Sequence, residues 1–286
     1  MVSIINKIKN FPKRLLFQII FFLLQNPLFG NFFTGTIYQG SIKKICTPGL
    51  NCYSCPAAIS SCPIGALQNS IAGVKYDFSL FVTGFLLSTG VIFGRFICGY
   101  VCPMGLFQDL IYKIRTPKKK TQLRYAKYLK YFVLVFLIIA LPYVIRHELS
   151  GLGDPWFCKY ICPSGMIFGA LPLMAVNSFL RDMAGMLFTY RVILTIGIIL
   201  ISLFIYRFFC RVLCPLGAIY SLFNKIAFVK MHFNKDNCTS CKKCREECKI
   251  CIDPSETVNS PECVRCGDCI KVCPGKALKN YRRWLL

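Results

Sequence analysis

The stretch CTSCKKCREECKICIDPSETVNSPECVRCGDCIKVCP, residues 238–274, decides how this chain is read. It holds two cysteine quartets: Cys238, Cys241, Cys244 and Cys248, then Cys263, Cys266, Cys269 and Cys273. Both follow a C-x2-C-x2-C-x3-C spacing, and Pro274 closes the second. A [4Fe–4S] cubane needs four thiolates converging on one body. A tight loop supplies three of them, and the fourth comes from the other quartet. The pattern assigns Cys238, Cys241, Cys244 and Cys273 to one cluster, and Cys263, Cys266, Cys269 and Cys248 to the other. Paired zinc sites are the competing account, but they use two CxxC pairs with a longer gap. Cys251 stands in the gap, outside the pattern. It reads first as a buried thiol near the cluster, and second as a ligand exchanging with Cys248.

These residues resemble a bacterial-type 2[4Fe–4S] ferredoxin module. One departure is visible: Lys249, not proline, follows Cys248. The resemblance implies a small α+β domain over residues 229–286.

The rest of the chain is of another kind. Of 286 residues, 55% are hydrophobic, and residues 1–228 contain apolar runs long enough to cross a bilayer. Nineteen cysteines would suggest disulfides in a small secreted protein. Here most stand in cluster spacings, so iron–sulfur ligation accounts for them better. Haem is poorly supported, because there is no CxxCH and the two histidines, His147 and His232, do not look like an axial pair. The formal charge is +23, and each oxidised cubane would remove about two charges from it. The basic excess is read through membrane topology and not as nucleic-acid binding.

The expected spans are Leu15–Phe33, Leu80–Ile97, Tyr131–Ile145 and Leu187–Tyr206. Met166–Leu180 is shorter and reads as a re-entrant or interfacial helix. Small residues four apart, Gly84, Ser88 and Gly90 with Gly94, suit close helix packing in the second span. Positively charged loops stay in the cytoplasm. That rule puts both termini and the 95–130 loop inside, leaving outside only Lys43, Lys44, Lys75, Arg146, Lys159, Arg181 and Arg191 of the 35 basic residues. The expected fold is a membrane all-α four-helix bundle of two parallel repeats, with the ferredoxin domain in the cytoplasm.

A short repeat supports the duplication. SCPIGALQ, CGYVCPMGLFQ, CKYICPSGMIF and CRVLCPLGAIY share a CPxG core at Cys62, Cys102, Cys162 and Cys214. In the last three, Cys98, Cys158 and Cys210 stand four residues earlier. Two parallel halves related by an axis along the membrane normal would pair equivalent motifs. The inner pair would offer Cys98, Cys102, Cys210 and Cys214 to one [4Fe–4S] cluster. The outer side holds Cys46, Cys52, Cys55, Cys62, Cys158 and Cys162. Symmetry favours Cys55, Cys62, Cys158 and Cys162 for an outer cluster, with Cys52 or Cys46 as a substitute. A disulfide is the other account of an outer CxxxC pair.

CGYVCPMG, CKYICPSG and CRVLCPLG beside a double-cubane module resemble the NapH-type polytopic ferredoxins. The resemblance implies four spans, cytoplasmic clusters and electron exchange with the quinone pool and other redox proteins. The cysteines at 46–62 and 158/162 are additional to that pattern, and they suggest an electron path across the bilayer. The expected function is a relay between a cytoplasmic ferredoxin- or flavodoxin-like donor and an external flavoprotein or reductase. The alternatives are a quinol dehydrogenase subunit, with Asp109 or Asp154 taking protons, and a membrane redox sensor or maturation factor. Lys118, Lys119 and Lys120 read as a positive-inside anchor, or as a docking patch for an acidic carrier.

Overall fold

The computed structural model describes residues 13–73, 79–145 and 153–282. The expectations placed on Lys75, Arg146 and His147 lie outside them.

Four times the chain makes the same local structure. A helix starts on the proline of each CPxG: Pro63–Ala72, Pro103–Tyr112, Pro163–Val176 and Pro215–Phe223. The cysteine before each proline is the N-cap, with extended backbone. Proline fits the first helical position because its φ is preset and that position needs no donor. The remaining first-turn N–H groups then turn to the cysteine sulfur. Gly217 N donates to Cys214 Sγ at 3.4 Å; at Cys62, Cys102 and Cys162 the matching N–H groups lie near the sulfur without closing a capping bond. CPxG thus sets a cysteine at the N-cap of a helix, where the helix N-terminus favours its sulfur as a thiolate.

The three CxxxC segments share one wide turn. Cys102 N bonds Ile97 O at 3.1 Å, Cys162 N bonds Phe157 O at 2.9 Å and Cys214 N bonds Phe209 O at 3.0 Å.

Two helices, Ala126–Val144 and Met186–Phe204, have 19 residues each and mean hydropathy high enough for a membrane crossing. At 1.5 Å per residue each is about 28 Å long. Phe132, Val135, Phe136, Ile193, Ile196 and Leu200 on them point outward and are exposed. Leu80–Phe93 and Pro163–Val176 are apolar but shorter. The first expected span is shorter too: its helix, Lys13–Gln25, stops where Pro27 pulls Asn26 out of helical geometry. The helix expected from Met166 begins earlier, at Pro163, because Cys162 caps it.

Wide π-helical turns over Val133–Ala140 and Met166–Ala170 each run up to a proline, Pro142 and Pro172. A helical proline clashes with the carbonyl four residues back, and a wider turn relieves the clash.

The repeats pack crosswise. Pro103–Tyr112 of the first half lies on Met186–Phe204 of the second, and Pro215–Phe223 of the second lies on Leu80–Phe93 of the first. Ile97, Met104, Phe209, Leu216 and Tyr220 fill the space between. At the C-terminal end, β1 (Val229–Phe233) pairs antiparallel with β2 (Leu278–Arg282). Met231, Leu278 and Cys269 form that module's small core.

Candidate metal centres

Cys98, Cys102, Cys210 and Cys214 come together where the two halves cross, each no more than 6% exposed. The four thiols lie within electrostatic range of one another. Donors already aim at three sulfurs: Leu50 N at Cys102 Sγ (3.3 Å), Gln108 Nε2 at Cys210 Sγ (3.0 Å) and Gly217 N at Cys214 Sγ (3.4 Å).

Two arginines missed in the sequence cross this site. Arg95 stands three residues before Cys98, and Arg207 three before Cys210. Each reaches the other repeat. Arg95 Nη2 donates to Cys210 O at 3.1 Å, and Arg207 Nη1 to Cys98 O at 2.5 Å. The CPxG glycines make room for them. A Cβ on Gly105 would sit 2.6 Å from Cys98 O and 3.3 Å from Arg207 Nη2, and one on Gly217 would sit 2.9 Å from Cys210 O and 3.4 Å from Arg95 Nη2.

Each arginine belongs to a triad of charges. Arg207 holds Asp109 through Nε at 2.8 Å and Nη2 at 2.6 Å, and Arg14 joins the same carboxylate. Arg95 holds Glu262 at 3.1 Å, and Lys130 joins it at 2.5 Å. Burial by itself would raise both carboxyls, but their paired cations override it. Asp109 is held at about 2, and Glu262 is lowered as well. Two cations to each carboxylate leave a local surplus of two positive charges. That matches in size the roughly two negative charges of an oxidised four-thiolate cubane.

Glu262 belongs to the C-terminal module, so the second triad also joins the two domains. Gly99, beside Cys98, lies against Val264, between Cys263 and Cys266; a Cβ on it would be 2.5 Å from Val264 O. Tyr100 Oη donates to Cys266 O at 3.4 Å, and Asn224 Nδ2 to Cys263 O at 3.0 Å. In that module Cys248, Cys263, Cys266 and Cys269 line one small cavity. Cys244 and Cys273 lie within electrostatic range of each other, while Cys241 is exposed. Cys251 takes a left-handed backbone (φ 62°) at the module's surface, near Arg211 and Lys120.

A second cavity, of about 400 Å³, is lined by Cys52, Cys62, Cys158 and Cys162, with Arg191 and Lys159. Leu50 lines it too, so the residue whose N–H meets Cys102 also borders this space. Cys55 and Cys46 do not line it. Cys55 Sγ faces Asn26 Oδ1 at 3.7 Å among Ala57 and Ala58, and Cys46 bridges to Ser61.

Glutamines six residues past Cys62 and Cys102 repeat the crosswise pattern. Gln68 Oε1 accepts from Cys158 N at 3.4 Å, as Gln108 reaches Cys210. In both cases a first-half glutamine meets the leading cysteine of a second-half motif. The sequence carried this signal in CPIGALQ and CPMGLFQ, and the arginine signal in RFICGYVC and RFFCRVLC.

Other candidates have structural partners. Asp154 pairs with Lys159 at 2.6 Å. Lys118 turns back on Ile114 O, Thr116 and Leu203 O, and Lys120 reaches Glu246 O in the ferredoxin module. All nineteen cysteines are free thiols in the structure. Among the described residues no group of His, Cys, Asp or Glu converges tightly enough for a single metal ion. A cubane asks for something looser, since its four thiolates bind four different irons.

Buried thiols gathered in groups, with N–H donors aimed at several of the sulfurs, are the setting an iron–sulfur cluster needs. A family described as 4Fe-4S binding domain matches residues 76–122, 149–172 and 187–235, which include all three CxxxCP segments. An uncharacterized protein of Methanocaldococcus jannaschii is 31% identical over 192 residues, 66% of this chain and 72% of that protein. The putative electron transport protein YccM of Escherichia coli is 25% identical, over 62% of this chain and 48% of its own. The ferredoxin-type protein NapH of Haemophilus influenzae is 22% identical, over 70% and 66%. No solved structure matches. The chain belongs to the NapH-type family of 4Fe–4S membrane ferredoxins, and its cofactors are [4Fe–4S] clusters.

Proposed function

We propose that this chain is an electron relay set in the cytoplasmic membrane, with both termini and the ferredoxin module inside and four apolar segments crossing as two parallel repeats. Exposed apolar side chains on the two 19-residue helices support the membrane setting. When bound, the clusters supply one-electron chemistry, two in the module and one held by Cys98, Cys102, Cys210 and Cys214. The donor is a cytoplasmic ferredoxin or flavodoxin-like protein. The acceptor is a flavoprotein or reductase on the outer face.

The contact of Gly99 with Val264 carries this reading. It sets the loop between Cys263 and Cys266 directly on the Cys98 turn. The residues around the inner quartet are suited to an electron-transfer centre. Leu50 and Gln108 offer N–H groups to its sulfurs, and such bonds raise a cluster's potential. Arg95 and Arg207 fix the two turns in register. The quinol alternative asked Asp109 or Asp154 to take protons, and both are engaged in ion pairs.

The test is vectorial. Protein in sealed vesicles, with the module outward, receives a reduced soluble ferredoxin, and a membrane-impermeant dye is trapped inside. Dye reduction that is lost in Cys214→Ser supports the relay. Dye reduction only after quinone is added sinks it in favour of quinone exchange.

A further inference from the structure

The cavity beyond Leu50 has no part in the three centres above, yet it is built on the same plan. We infer that it is a fourth [4Fe–4S] site, ligated by Cys52, Cys62, Cys158 and Cys162. It deepens the relay reading by giving the path a terminus on the outer face, but it stands on separate observations.

The first is convergence. The four cysteines line one cavity of about 400 Å³. Cys158 lies within electrostatic range of the other three thiols, Cys62 of Cys162 and Cys52, and Cys162 of Cys52. The cavity sides of both CPxG turns are bare. A Cβ on Gly65 would lie 4.0 Å from Cys158 Sγ, and one on Gly165 would lie 3.6 Å from Cys52 Sγ.

The second is prepared donors. Backbone N–H groups of Ile64 and Gly65 face the Cys62 sulfur, and those of Ser164 and Gly165 face Cys162. The Ser54 N–H and hydroxyl face Cys52. Gln68 fixes the Cys158 turn through its N–H at 3.4 Å and anchors itself on Leu137 O at 3.1 Å.

The third is charge. Ligation replaces four S–H protons by iron, so a 2+ core with four thiolates is left with a net charge of 2−. Arg191 lines the cavity, with its Nη2 3.3 Å from the Gly165 Cβ position. Lys43 lies within electrostatic range of Cys52. Lys159 is neutralised by Asp154. Arg191 thus faces the site directly, with Lys43 held nearby on Ala58 O.

Cys52 takes the fourth place because no cysteine stands four residues before Cys62; Ala58 is there. Cys55 is close in sequence, but its thiol is turned to Asn26.

The experiment counts iron and acid-labile sulfide on full-length protein purified without oxygen, as wild type and as Cys52→Ser, Cys55→Ser, Cys158→Ser and Cys102→Ser. Four sites give about sixteen irons per chain in wild type. Cys55→Ser keeps them. Cys52→Ser and Cys158→Ser each fall to about twelve, or show an oxidised [3Fe–4S] signal that wild type and Cys55→Ser lack. Wild type at about twelve, with Cys52→Ser unchanged, overturns the fourth site and leaves the relay standing. A loss in Cys55→Ser with none in Cys52→Ser overturns the ligand set. Wild type at about eight, with Cys102→Ser unchanged, overturns the relay itself. If Cys52→Ser does not accumulate, the wild-type count and Cys158→Ser still decide.

Discussion

The inner and outer thiol quartets are two versions of one device. Each draws two N-cap cysteines from CPxG turns, and in each a first-half glutamine braces a second-half cysteine turn. Their surroundings differ. The inner quartet has a CxxxC from both halves, two fully buried arginines crossing between them, and a carboxylate locking each arginine. The outer quartet has one CxxxC and a detached Cys52. It opens into a cavity, and one arginine, Arg191, lines it. The repeat therefore fixes where sulfur goes, while the added charges fix what each site can do. A sealed site with locked cations suits passage of electrons, and an open one suits exchange with a partner.

The sharpest way to break this comparison is to remove one inner cap. Cys214→Ser should cost about four irons per chain and abolish transfer from the module to the outer face, with both module clusters retained. Iron analysis and the spin count of the reduced protein check it. Retention of all iron would mean that the inner quartet is not a ligand set.

The next effect tests the join between domains. Gly99→Val places side-chain atoms where Val264 O now sits, since even a Cβ would be 2.5 Å from it. The module must lift away. Its clusters should remain, while transfer to the inner site slows by about tenfold or more and amides near Val264 exchange faster.

Third come the arginines. Arg207→Gln leaves Asp109 buried with only Arg14 and Gln18, and breaking a buried pair costs about 3–5 kcal/mol. Adding Asp109→Asn should restore much of that stability. The inner potential should fall in Arg207→Gln, where a positive charge beside the site is gone, and should recover in the double variant, which removes one charge of each sign. Redox titration separates this from a purely structural role. Arg191→Gln should lower only the outer potential. Asp109 also sets an acid limit. Its depressed carboxyl adds stability that is complete above its unfolded value of about 3.9 and is lost as pH falls through about 2. Stability should therefore not respond to this group between pH 5 and 8, and a melting series across that range checks it.

What was legible in the sequence follows from what ligation demands. Thiols around a cubane must come at fixed spacings, so the module quartets and the CPxG repeat stood out, and the repeat implied pairing between halves. The partners of those thiols obey no spacing rule. Asp109 is seven residues past Cys102, but its counterpart Glu262 comes from another domain. The choice between Cys52 and Cys55 depends on how the 46–62 loop folds, and it turns on Asn26, which comes from the end of the first helix. Helix ends were legible only in part: Pro27 ended one span early, and Cys162 started another helix sooner than hydropathy suggested.

The smallest effect separates the two glutamines, which the repeat makes equivalent and the chemistry does not. Gln108 donates to a sulfur, Cys210 Sγ at 3.0 Å, while Gln68 accepts from a backbone N–H and donates to Leu137 O. A hydrogen bond to cluster sulfur stabilises the reduced form, so Gln108→Ala should lower the inner potential. Gln68→Ala removes only structural bonds from a buried site and should cost about 1–2 kcal/mol with the outer potential little changed. Redox titration and thermal melts on both variants read the difference. Equal shifts of potential would mean that Gln68 acts on the outer sulfurs after all, and that the two quartets are more alike than their surroundings suggest. A shift confined to Gln108→Ala would show that the duplication kept the brace at both sites and turned it to tuning at the inner one alone.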